Sequence, residues 1–172
     1  MSFGEAVQKG ILIVRLDRAT IREVAGEPEA FSPAVLITIV AGLALWLCPV
    51  GFSVAGIVTG PLRALALVFL GGALFHFVAS LFNGRGEYLT LVRTWGVTRV
   101  LGWVRIVPYI GWIIDLWSFV VLVVILEELY GLNRTQALLT VVIPLLALSI
   151  LGAIFFVNLV LLRGLLSLGR FF

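Results

Sequence analysis

Charge is what this sequence has least of. Only 12% of its 172 residues are Asp, Glu, Lys or Arg while 62% are hydrophobic, and soluble domains carry roughly 25% charged residues. A water-soluble globule and a disordered tail are thereby excluded. The formal net charge is +3, with no Lys/Arg run, so there is no stripe to track a nucleic-acid backbone. Cysteine occurs once, as Cys48, which can form no internal disulfide and is expected to serve as a small apolar residue. Histidine also occurs once, as His76, and lysine once, as Lys9. The phosphate-binding, metalloprotease, Cys-x-x-Cys and nucleophile-elbow patterns are all missing from the chain. Ser80 or Ser118 with His76 and Asp115 would make a triad on paper only, and His76 with Asp115 falls short of the three or four protein ligands that zinc takes. The expectation is no catalytic residue, no metal and no cofactor.

What is present in quantity is apolar length, enough for roughly five membrane spans at ~20 residues each. The predicted fold class is all-α, a polytopic membrane bundle of about five embedded helices behind an amphipathic interfacial helix. Residues 1–32 are read as that helix and a turn, 33–163 as the bundle and 164–172 as a short tail. No removable signal peptide is read at the N-terminus.

From Phe3 to Val24 the residues Phe3, Val7, Ile11, Val14 and Ile21 form one helical stripe, with Arg15 and Arg22 mostly opposite and Arg18 interrupting. Two readings follow: a helix on the membrane surface with its arginines at anionic headgroups, or one packed on the protein. Pro33 opens the first span, which Pro49 and Gly51 kink or end. The run GIVTGP (56–61) is read as a turn rather than a Gly-x-x-x-Gly packing face, and Leu62 to Phe82 as the second span. Asn83 to Gly86 breaks the chain. There Gly84 and Gly86 permit positive φ and let the chain turn tightly, beside Arg85 and Glu87 in a surface loop that is either a recognition element or a plain connector.

The segment Glu87 to Val107 is apolar but carries Arg93, Arg99 and Arg105. It either spans, giving five embedded helices with Arg93 or Arg99 facing an acidic or carbonyl partner, or stays on the cytosolic side, giving four. Tyr109 to Leu126 spans, interrupted by Asp115. Asn133 with Gln136 forms a capping box for a last helix, Thr135 to Leu162, that contains Pro144. Because charge inside a bilayer costs ~2.5–3.5 kcal/mol per group, His76, Arg93, Arg99 and Asp115 are the intramembrane candidates, either for a polar, proton-responsive site or for packing contacts. Trp46, Trp95, Trp103, Trp112 and Trp117 are read as interface anchors.

The order of several segments resembles the Yip domain, the family of membrane proteins that interact with Ypt/Rab GTPases. These are TIREVAGEPEAFSP (20–33), HFVASLFNGRGEY (76–88), TLVRTWGV (90–97), VPYIGWIIDLWSFVVLV (107–123), ELYGLNRTQAL (128–138) and VVIP (141–144). The resemblance implies about five membrane helices, a cytosolic N-terminus and a non-enzymatic role in membrane organisation or traffic. The N-terminal region is short against the eukaryotic pattern, which counts against a small GTPase partner and for a prokaryotic plasma membrane. The expected function is a non-catalytic scaffold that binds membrane partners or itself, or shapes the bilayer through anionic lipid at the N-terminal helix. The alternative is a small transporter, channel or lipid-translocating protein.

Overall fold

The structure is a computed structural model that describes residues 1–46, 54–107 and 110–168. Cys48, Pro49, Gly51, Pro108 and Arg170 lie outside the described residues, as do the readings placed on them. Among the described residues there is no strand, and the chain runs α1 Phe3–Val14, α2 Arg18–Gly26, α3 Phe31–Trp46, α4 Val54–Leu81, α5 Tyr88–Val97, α6 Gly111–Tyr130 and α7 Arg134–Leu168. Short 3₁₀ segments, Pro28–Ala30 and Thr98–Ile106, precede α3 and follow α5.

The single N-terminal helix is corrected to two. Leu16 takes φ 67°, a left-handed conformation that an L-residue cannot hold inside a helix, and Asp17 then caps α2 through the Thr20 amide. The start of α1 is a capping box in which Ser2 accepts from the Glu5 amide and Glu5 from the Ser2 amide. The sequence reading missed both caps, although both are local patterns. The Asn133–Gln136 box is present, at 2.9 and 3.1 Å, and α7 starts one residue earlier and runs further than expected.

GIVTGP is helix, not turn. Gly56 and Gly60 are buried within α4, and Pro61 sits inside that helix. The physical reason is close packing: a Cβ on Gly42 of α3 would lie 2.6 Å from the Gly60 carbonyl oxygen, so the two backbones touch as small residues permit in membrane helices. Ala34 and Ala41, on the same helix, meet Gly96 and Gly102. These contacts make α5 and its 3₁₀ extension run in the direction of α3, while α4 returns, with Phe69 against Phe31.

Two described helices, α4 and α7 as far as Leu159, are long and apolar enough to cross a membrane, and α2 with α3 makes a third only if counted across a 97° bend. The chain is thus a helical membrane protein with two or three such spans among the described residues. Glu87 to Val107 is not one continuous α-helix but α5 followed by 3₁₀.

Candidate functional site

At the end of the bundle where α3 begins, polar groups are tied together tightly. Lys9 is buried in α1 and bonds Glu27 at 2.6 Å, and Glu5 and Glu23 at 3.2 Å each. Hydrogen bonding to Glu27 first, with Glu23 and Glu5 adding, holds its ammonium above the ordinary lysine value despite desolvation. Arg18 binds Glu127 at 2.5 Å and also Glu128, and Arg22 binds Glu128 at 2.8 Å. Arg18 and Arg22 therefore fasten α2 to the end of α6, a use the sequence reading did not foresee. Arg15 is exposed and has no ion-pair partner among the described residues.

The stripe of α1 divides. Ala6, Gly10 and Ile13 with Lys9 face the protein, Phe3 and Ile11 are exposed, and Val7 and Val14 are half-buried. Phe3 stacks on Trp103 at 6.3 Å, and the Trp117 indole donates to the Val14 carbonyl at 2.9 Å. So α1 lies across the bundle from the 3₁₀ segment to α6. Gly10 carries no side chain on that buried face because the Val97 carbonyl sits against it.

His76 lies near the same end, with Nδ1 2.8 Å from the Tyr130 hydroxyl and its ring edge-on to Tyr88. The surface loop wraps Tyr130: a Cβ on Gly84 or Gly86 would come within 2.9 Å of that ring or closer. Positive φ belongs to Asn83, at 59°, and not to either glycine, so these glycines answer a close approach rather than a turn. Arg85 and Glu87 are exposed.

The other candidates separate. Arg93 donates to the Ala25 carbonyl and, at 3.0 Å, to Thr90 Oγ1. Asp115 pairs with Arg105, not with Arg93, Arg99 or His76. Arg99 lies over the Trp95 ring, 5.2 Å from its centroid. Trp95 is buried and edge-packed on Phe75, which removes it from the interface anchors. Trp112 is exposed, and Trp103 donates to the Ile37 carbonyl at 3.4 Å.

Deeper in the bundle, between α3, α4, the 3₁₀ segment and α6, is a cavity of about 250 Å³ lined by Arg63, Arg99, Arg105, Trp95, Thr98 and Ser118, among others. Arg63 was passed over in the sequence, although its charge inside the run Leu62 to Phe82 was visible. Among the described residues, no three His, Cys, Asp or Glu side chains gather as a metal set would.

A helical membrane bundle with a polar cap on one end and cations inside it defines the class. The chain matches the Yip1 domain over residues 11–156 and belongs to that family. No curated protein and no solved structure matches it.

Proposed function

We propose that this chain is a non-catalytic Yip-type scaffold of a prokaryotic plasma membrane, with five embedded elements and a cytosolic N-terminus. The observation that carries the reading is the 97° bend between α2 and α3. With α3 along the membrane normal, α2 lies in the membrane plane. The elements α3, α4, α5 with its 3₁₀ extension, α6 and α7 alternate in direction, which supports five embedded elements even though α5 is short and α6 carries Asp115, Glu127 and Glu128. Family membership supports a non-enzymatic role.

In this reading α1 and α2 form a surface cap. Its exposed Phe3, Ile11 and Leu12 meet the headgroup region, where apolar side chains and cations together bind anionic bilayers. Arg15 adds the charge. Other membrane proteins, or a second copy, dock on the same face.

Single cysteines at Ser2, Arg85, Asn133 and Gly111, in a Cys48→Ala background, test the topology in intact cells. The first three are expected to be shielded from an impermeant thiol reagent and Gly111 labelled. Labelling of Asn133 without Gly111 would reject the arrangement. Deleting residues 1–26 is expected to abolish partner capture and weaken binding to anionic liposomes, and retention of both would reject the cap's role.

A further inference from the structure

We propose that the cavity between α3, α4, the 3₁₀ segment and α6 is an oxyanion site that takes the phosphate of an anionic phospholipid. Arg63, Arg99 and Arg105 all line it. Asp115 engages Arg105, and among the described residues neither Arg63 nor Arg99 has a carboxylate partner.

The sequence explains why none is available. No Asp or Glu occurs between Glu29 and Glu87, Asp115 is the one acidic residue between Glu87 and Glu127, and none follows Glu128. Glu5, Glu23 and Glu27 are committed to Lys9, and Glu127 and Glu128 to Arg18 and Arg22. Arg99, within the bundle, and Arg63, exposed on α4 at the cavity's edge, are thus left without a carboxylate partner among the described residues. Such charges are costly unless paired or hydrated.

Guanidinium is also the group whose planar fork matches phosphate oxygens, binding two at once. Arg99 is held in place by the Trp95 face, so little conformational freedom is lost on binding.

The apolar side of the cavity favours a lipid over a free ion. Leu67 lines it and is 50% exposed, so the wall continues onto the outer apolar surface of α4, where Leu62 and Leu70 are exposed too. Acyl chains can lie along that surface while the phosphate enters between the arginines. The inference rests on the membrane embedding proposed above.

The test uses the full chain in mild detergent, titrated with dioctanoyl phosphatidylglycerol, dioctanoyl phosphatidylcholine and inorganic phosphate, with binding read by native mass spectrometry. Phosphatidylglycerol is expected to bind at least about tenfold more tightly than phosphatidylcholine. Arg63→Gln and Arg99→Gln are each expected to weaken it by about tenfold or more, the scale of one charge-assisted hydrogen bond. Asp115→Asn, which frees Arg105, is expected to tighten binding, an effect misfolding cannot mimic. Arg18→Gln, outside the cavity, is expected to leave it unchanged. Wild-type affinity in both Arg63→Gln and Arg99→Gln would overturn the site. Equal binding of the two lipids, or displacement of phosphatidylglycerol by an equal concentration of inorganic phosphate, would overturn the lipid assignment. The thiol-labelling pattern is read separately, so failure of the topology and failure of the site are told apart.

Discussion

The His76 imidazole and the Tyr130 hydroxyl, from α4 and the last turn of α6, share a 2.8 Å hydrogen bond. Tyr130 is buried, and its carbonyl also accepts from the Arg85 amide at 3.3 Å, so one residue links two helices and the loop. Tyr130→Phe deletes the hydroxyl and keeps the ring, leaving a part-buried imidazole nitrogen unpaired. The expected loss is about 1–3 kcal/mol, seen as a lower unfolding midpoint in detergent. His76→Ala is expected to cost at least as much, because it also opens a void. If His76→Ala melts like wild type, the bond contributes nothing to stability.

Two glycines near Tyr130 are expected to fail for different reasons. At Gly86 a Cβ would lie 2.8 Å from the Tyr130 ring, so Gly86→Ala overpacks, at a cost of about 1–3 kcal/mol. Gly131 has empty space around its Cβ position but φ +66°, where an L-residue costs roughly 1–2 kcal/mol. Tyr130→Ala should relieve the first variant and leave the second unrelieved, which a double-mutant comparison of melting midpoints reads.

Within α1, Gly4 and Gly10 make an internal control. Nothing lies within 4 Å of a Cβ at Gly4, and Gly4→Ala should stabilise the helix slightly, by up to ~1 kcal/mol. Gly10→Ala would drive a methyl into the Val97 carbonyl, so it should lift α1 off the bundle and raise amide exchange across Phe3–Val14. Similar exchange in the two variants would show that α1 is not docked there. Gly42→Ala is expected to force α3 from α4 in the same way, since its Cβ would meet Gly60 at 2.6 Å.

Acid should loosen the cap. Hydrogen bonding from Lys9 first, and from the Ser2 amide, holds Glu5 below the ordinary 4.5, and hydrogen bonding from Thr20 holds Asp17 below 3.8. A carboxylate depressed in the folded state adds stability that is complete above its unfolded value and is lost as pH falls through the folded one. The α1–α2 helical signal is therefore expected to hold constant at neutral pH and decline only below those values. Asp17→Asn retains a capping side chain and should remove part of the pH dependence while keeping α2 folded. An unchanged acid profile in Glu5→Gln with Asp17→Asn would refute the assignment.

Class and broad order were legible in the sequence because they are properties of composition and local pattern. An apolar fraction of 62% has no stable state in water but a helical one in lipid, where each backbone group must be satisfied within its own segment. The Asn133–Gln136 box was legible for the same reason: its donors and acceptors lie three residues apart. What the tertiary structure decided depends on which surfaces approach. Gly56 and Gly60 look like a turn until Gly42 is laid against Gly60, and Gly84 and Gly86 look like φ-permissive residues until the Tyr130 ring covers them. Arg18 and Arg22 read as headgroup contacts, but Glu127 and Glu128, more than a hundred residues away, claim them. Arg63 is remote in the chain from Arg99 and Arg105, and only the packing of α4 beside the 3₁₀ segment and α6 brings all three around one cavity. Helix propensity and hydropathy are sums over neighbours along the chain. Ion pairing and close packing depend on distance through space, which the order of residues leaves open.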